Sequence, residues 1–318
     1  MQSTLQHRPF PSRSRLPLRE PSEYRRLPRG WPNVSSGKPR ALAWDDEATR
    51  KDYRGFGIVT RALASHTDHH QVSELVIDAN TLETGLNCRV YEQPNAEYND
   101  FATILRRPGF THLDLALLVR GQEFKGWPCF RNRYLHRALA EAHSLQHISL
   151  STNVDADPAS DTTIQGTGGS RAQLVLLRTI FPVERWHTLR HFSLSNFLVD
   201  KNDLVSFLAA LPSATLCSVH LGFLYFVDHG GNWHELLEDM RNKLDWRWRD
   251  PAVRPTVSVA VPTFYIQTGH AVWVDEEVRE FLYEGGPNPF YWGNEAVGQA
   301  GVVRDAFMAG VEWVNNGY

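Results

Sequence analysis

The chain is poor in cysteine. Its 318 residues include three, Cys88, Cys129 and Cys217, with no C-x-x-C spacing. Neither a disulfide framework nor a cysteine-based zinc site is indicated, and a reducing, intracellular location, cytoplasmic or nuclear, is expected. Long hydrophobic runs are missing too. The longest apolar stretch, around Leu216 to Val227, is broken by His220, and residues 1–40 hold no apolar signal-peptide core, so no membrane association is expected. Net charge is small: 33 Lys and Arg against 36 Asp and Glu give −3, which argues against polyanion binding over the whole surface. There is no G-x-x-x-x-G-K-[ST] phosphate loop, and Gly166-x-Gly168 lacks the third glycine of a dinucleotide fingerprint.

What is present suits a folded protein, since 42% apolar and 11% aromatic residues supply a sizeable core. The charge is unevenly spread. Residues 1–40 carry eight Arg and one Lys against two Glu, together with Pro9, Pro11, Pro17, Pro21, Pro28, Pro32 and Pro39. Such a segment cannot sustain a helix or bury a core, so residues 1–43 are expected to form a disordered basic arm. Nucleic-acid contact or nuclear import through Arg8, Arg13, Arg15, Arg19, Arg25, Arg26 and Arg29 is the alternative functional class. A second break, Asp155 to Ser170, crowds Asp, Pro, Ser, Thr and Gly and reads as a flexible surface loop.

Between these breaks a short pattern, apolar-x-x-apolar-x-apolar, recurs. It appears at Val72-Leu75-Ile77, Phe110-Leu113-Leu115, Leu145-Ile148-Leu150, Leu189-Phe192-Leu194, Leu216-Val219-Leu221 and, more weakly, Thr256-Val259-Val261. Each hit ends in the period-two alternation of a strand with one buried face. The intervening segments read as helices. Leu204, Phe207, Leu208 and Leu211 follow i, i+3, i+4, i+7 behind Asn202 or Asp203 as cap, and Pro212 stops the run. Trp233, Leu236, Leu237, Met240 and Leu244 repeat the spacing behind Asn232, Tyr134 to Ala142 gives a looser stripe, and Val278, Phe281 and Leu282 lead to Gly285-Gly286-Pro287. Parallel strands need such return helices. The expected fold class is therefore α/β: an irregular leucine-rich-repeat-like solenoid over residues 44–318, with Phe290, Tyr291, Trp292 and Trp313 closing its last repeat.

The runs HTLRHFSLSNF (187–197), NDLVSFLAALPSATLCSVHLGF (202–223) and WHELLEDMR (233–241), with DYRGFGIVTRALA (52–64), VSELVID (72–78) and EGGPNPF (284–290), resemble filamentous-fungal F-box-like proteins with irregular leucine-rich repeats. The resemblance covers roughly Trp44 to the C-terminus. It implies a horseshoe-like repeat domain that binds a partner protein and, in some members, delivers it to a cullin-type ubiquitin ligase. The asparagine such repeats carry three positions after the strand is present here as Asn80 and Asn153, while Leu118, Phe197, Leu224 and Phe264 stand in its place elsewhere. Leu16-Pro17 and Leu27-Pro28 are followed by Arg- and Pro-rich sequence without helical periodicity, so a repeat domain without the adaptor-binding F-box is expected.

Enzyme signatures are weak and no catalysis is expected. His234-Glu235-Leu236-Leu237-Glu238 has Glu where H-E-x-x-H needs its second histidine, and Gly168-Gly169-Ser170 follows a polar loop rather than the apolar strand of a nucleophile elbow. His66, His69 and His70 with Asp68 read as an exposed turn. Aligning the six strands is more informative. The first outward rung reads Glu74, His112, His147, His191, Ser218 and Ser258; the second Val76, Asp114, Ser149, Ser193, His220 and Ala260; the third begins Asp78, Ala116, Ser151 and Ser195. On strands about 4.8 Å apart these side chains would ladder across an exposed, concave face. Glu74, Asp78, His112, Asp114, His147, Ser149, His191, Ser193 and His220 are accordingly the expected partner-binding residues, their imidazoles titrating near about 6.5. Partner contact is expected there rather than metal, and no cofactor is implied.

Overall fold

The computed structural model describes residues 40–66, 71–77, 85–122, 125–154, 174–262, 270–292, 295–296 and 302–305. The basic arm up to residue 39, the loop at 155–170, Asp68, His69, His70, Asp78, Asn80, Phe264 and Trp313 lie outside the described residues. None of the described helices is long and apolar enough to cross a membrane.

Two helices come first, α1 (Glu47–Asp52) and α2 (Arg54–Ser65), then β1 (Glu74–Ile77), β2 (Leu86–Asn87), a 3-10 turn (Cys88–Tyr91) and α3 (Ala96–Leu105). The chain continues through β3 (His112–Leu118), α4 (Pro128–Arg131), α5 (Tyr134–Ala140), β4 (His147–Thr152), α6 (Leu177–Ile180), β5 (His191–Ser195), β6 (Leu198–Val199) and α7 (Lys201–Ala209). The last described elements are β7 (Ser218–Gly222), β8 (Tyr225–Phe226), α8 (Trp233–Lys243), β9 (Thr256–Pro262), β10 (His270–Trp273), α9 (Asp275–Arg279) and the short strands β11 (Phe290–Trp292), β12 (Glu295–Ala296) and β13 (Val302–Asp305).

The main sheet runs β1-β3-β4-β5-β7-β9-β10-β13, with β2 also on β3, so neighbours in the sheet follow chain order. Strands are parallel up to β9; β10 then pairs antiparallel with β9, and β13 antiparallel with β10. The protein is thus a mixed α/β fold built on an open, mostly parallel sheet with alternating helices. The return register is the same at each crossover: His147 N–H donates to Thr111 O (2.9 Å), His191 to Gln146 O (2.9 Å), Ser218 to Arg190 O (3.0 Å) and Thr256 to Cys217 O (2.9 Å).

Alternation decides which face is buried. Leu113, Leu115, Ile148, Leu150, Phe192, Leu194, Val219, Leu221, Val257 and Val259 point inward, none more than 5% exposed. They meet a row of helices in which α2 neighbours α3, α3 neighbours α5, α5 neighbours α6, α6 neighbours α7 and α7 neighbours α8. One buried cluster runs from Ala41 to Phe290, so the core begins slightly before Trp44. Within it Phe181, Phe192 and Phe207 pack with centroids 4.9 to 5.5 Å apart, joining the helix row to β5. Cys88 and Cys129, distant in sequence, are both buried here as free thiols, and burial with the neighbouring Cys129 pushes the Cys88 thiol well up.

Caps explain where the helices begin. Asn232 Oδ1 accepts Glu235 N–H at 2.9 Å to start α8, as its spacing implies. For α7 the cap is Asp200, two or three residues earlier than the expected Asn202 or Asp203, accepting from both of their N–H groups at 2.8 and 3.2 Å. Asp203 is spent elsewhere: its carboxylate accepts Leu177 N–H at 2.8 Å, capping α6, and burial raises its pKa. At the far end Val278, Phe281 and Leu282 are buried as expected; α9 runs on into a π-helical turn (Glu280–Glu284) that stops at Gly285, whose φ of 86° suits glycine. Phe290 stacks on Trp233 at 5.6 Å and 14°, covering the end of α8.

Asparagine serves the turns only where it is present. Asn153 Oδ1 accepts N–H bonds from Val119 (2.8 Å) and Arg120 (3.1 Å), tying the ends of β3 and β4. Where Phe197 and Leu224 replace it, both are buried and the chain instead turns at Asn196 and Phe223, each with φ of 51°, into the parallel pair β6–β8. Asn153→Ala strands the buried Val119 N–H, so it is expected to cost about 1–3 kcal/mol in urea unfolding, whereas Asn153→Asp, which keeps the acceptor, loses less. Equal losses for the two variants would mean the acceptor is immaterial.

Candidate functional site

The face of the sheet opposite the helix row carries polar residues on alternate positions. The first rung pairs Glu74, His112, His147, His191, Ser218 and Thr256 across the sheet. The second pairs Val76, Asp114, Ser149, Ser193, His220 and Ser258, and the third Ala116, Ser151, Ser195, Gly222 and Ala260. Five strands keep the register expected from sequence, and β9 is corrected by two residues: Thr256, not Ser258, lies beside Ser218. The reason is the period of the strand. Val257, Val259 and Val261 are all buried, so two registers place valines inward equally well, and the length of the return from β7 decides between them.

The expected residues do not behave as one surface. Glu74 is exposed on the edge strand, Asp78 lies outside the described residues, and Ser149 and Ser193 sit half-buried in mid-face. His112, Asp114 and His147 form a tight group. Their imidazoles stack at 4.0 Å with planes 2° apart, and Asp114 lies between them, Oδ2 3.1 Å from His112 Nε2 and Oδ1 2.9 Å from His147 Nε2. Burial pushes the Asp114 carboxyl up, but its contacts with His147 and His112 outweigh this and hold it below the usual range. Oδ1 is buried and receives no aligned N–H. His191 departs from the row: its ring is tilted 39° from His147 at 5.7 Å, and its Nδ1 bonds Ser218 Oγ at 2.8 Å. Burial and the nearby His147 and Arg190 lower its pKa.

A second network ends the face at β9 and β10. His220 Nδ1 is 3.2 Å from Ser258 Oγ, and Ser258 donates to Asp275 Oδ1 at 3.0 Å, an oxygen that also accepts Val259 N–H at 3.1 Å. With its proton given to Asp275, Ser258 accepts from His220, so the His220 proton sits on Nδ1. This order, with serine between histidine and aspartate, is not that of a nucleophilic triad, in which the serine proton passes to histidine. The His220 ring stacks on Trp273 at 5.3 Å and 27°, and Trp273 packs with Ala260 and Phe223. Burial lowers His220 to about 4. Gly222 is required here: a Cβ would lie 2.9 Å from both His220 Nε2 and Ser195 Oγ.

Sequence reasoning missed Trp273 and Asp275. Both depend on β10 folding back antiparallel, and the strands of the repeat pattern give no sign of that reversal. The zinc-protease-like run is a helix start, as expected. His234 Nδ1 bonds the Phe290 carbonyl, and Glu235 pairs with Lys201 Nζ at 2.7 Å. On the helix side a groove of about 580 Å³ between α3 and α5 is lined by Tyr98, His136 and Glu184, and its Arg106 and Glu141 pair at 2.8 Å. Compared with protein families, curated proteins and solved structures, the chain finds no match.

Proposed function

We propose that the protein is a non-catalytic protein-recognition module, an irregular leucine-rich-repeat-like solenoid whose polar sheet face receives a segment of a partner protein. One observation carries this reading: a parallel sheet, which is ordinarily covered on both faces, has among the described residues helices on one face and half-exposed His, Asp and Ser side chains on the other. The chain-ordered strands and the repeated return register support the solenoid. The face is graded, with Glu74 and Asp114 toward β1, serines and imidazoles in the middle, and Trp273 toward β10. A partner segment crossing the strands would hydrogen-bond the serines and imidazoles in the middle. The F-box-like resemblance adds a finer role, substrate receptor of a cullin-type ligase.

The test compares full-length protein with the double variant Ser149→Arg/Ser193→Arg, both half-buried on the face, and with Asn99→Arg at an exposed position of α3. Immobilised on resin and exposed to extract from the native cell, wild type and Asn99→Arg are expected to retain the same protein, and the double variant about tenfold less. Equal retention by the face variant, with its circular dichroism unchanged, would refute the face as the binding surface. A cullin adaptor among the proteins retained specifically would carry the ligase role.

A further inference from the structure

We infer that His112, Asp114 and His147 form a binding site for a divalent transition cation of the zinc class, bridging β3 and β4. The donors come from two adjacent strands in fixed register. His112 pairs with His147 on one rung and Asp114 follows two residues later on β3, so all three side chains leave the same face. Their ligand atoms lie within 4.8 Å of one another, and the two imidazole-to-carboxylate separations are 3.1 and 2.9 Å. Ligand atoms around a tetrahedral zinc, each about 2.0–2.2 Å from the metal, sit roughly 3.3–3.5 Å apart. Rotation of the two rings out of their parallel stack, so that both Nε2 lone pairs converge, is the principal adjustment needed.

A second observation points to a cation. The buried Asp114 Oδ1 lies 2.9 Å from His147 Nε2 without receiving an aligned N–H. A buried carboxylate oxygen left in that state is costly, and a metal ion held by this oxygen and both nitrogens would remove the cost. Two imidazoles and one carboxylate select zinc, nickel, cobalt or copper over magnesium or calcium, which prefer all-oxygen sites. Three protein donors leave a coordination position open to water or to a side chain from outside, as in zinc sites that exchange ligands. His191 is engaged with Ser218 and is not a donor in this arrangement.

The site rests on three residues and needs no partner protein, so its test is independent of the recognition reading above. Metal-free full-length protein is titrated with zinc chloride in a calorimeter, alongside His112→Ala, His147→Ala and Asp114→Asn. His143→Ala, an exposed histidine outside the group, serves as control. Wild type and control are expected to bind one zinc ion with the same affinity, and each of the three site variants to bind about 10–100-fold more weakly. Cobalt substitution gives a second readout: the visible absorption of a low-coordinate cobalt site should appear in wild type and vanish in His147→Ala. Zinc affinity unchanged in the three variants, or no binding by wild type, would overturn the site. Should a variant fold poorly by circular dichroism, the cobalt spectrum of the wild type decides alone, and an octahedral aqua-type spectrum counts against the site.

Discussion

Phe181→Ala is expected to lower the unfolding free energy by about 3–5 kcal/mol, the range for removing a fully buried phenylalanine ring. Phe181 is fully buried just after α6, 5.4 Å from Phe192 on β5 and 5.5 Å from Phe207 on α7, and its ring meets Trp186 at 6.1 Å. The Trp186 indole in turn donates to Leu139 O at 3.2 Å in the preceding crossover. Truncation therefore opens a cavity where one crossover packs on the next, and aromatic contacts worth about 0.5–1.5 kcal/mol each are lost with the area. Against the 5–15 kcal/mol by which a domain is usually stable, this is a large fraction. Leu176→Ala is the control, because Leu176 is 52% exposed five residues earlier and should change stability by no more than about 0.5 kcal/mol. Urea midpoints at constant slope measure both. Similar midpoints for the two variants would mean that Phe181 does not join the crossovers.

The inward half of this architecture was legible in the sequence, and the outward half only partly. Strand positions follow from alternation: Leu113 and Leu115, Ile148 and Leu150, Phe192 and Leu194 are buried because every second residue of a strand faces one side. Helix starts were legible where an Asn-x-x-Glu spacing marks them, as at Asn232, and were misplaced at Asp200, because Asp200, Asn202 and Asp203 are all capable caps and only packing gives Asp203 to α6. The histidine ladder was legible as an alignment. Its division into a carboxylate-linked pair and two serine-linked histidines was not, since ring orientation depends on neighbours from other strands. Asp275 and Trp273 reach His220 only because β10 reverses direction. No periodicity within β7 or β9 carries that information.

His220 should give the folded protein a distinctive loss of stability in mild acid. Its ring is held neutral by burial, with a pKa of about 4 against an ordinary 6.5. Nδ1 donates to Ser258, Asp275 lies one hydrogen bond further on, and Trp273 covers the ring. Between the two pKa values the unfolded chain binds a proton at this position and the folded protein does not. Stability contributed here is thus complete above about pH 6.5, falls as pH drops toward about 4, and levels off below, a total of about 3–4 kcal/mol. Asp114 and Glu97, whose folded pKa values are depressed, lose their contributions only at lower pH, as they protonate. His191 and His136 are also lowered and act in the same window as His220, so the difference between two proteins, not the wild-type curve alone, isolates His220. His220→Asn provides it: the Asn amide takes the place of Nδ1–H and can still donate to Ser258, but it does not titrate. Urea unfolding at pH 7 and pH 4.5 is expected to show a drop in the variant smaller than that in wild type by about 2 kcal/mol, although the variant starts lower at pH 7 for want of the Trp273 stack. Equal drops would show that the His220 ring accepts its proton in the folded protein as readily as in the unfolded chain. The Ser258 and Trp273 packing would then not be what keeps it neutral.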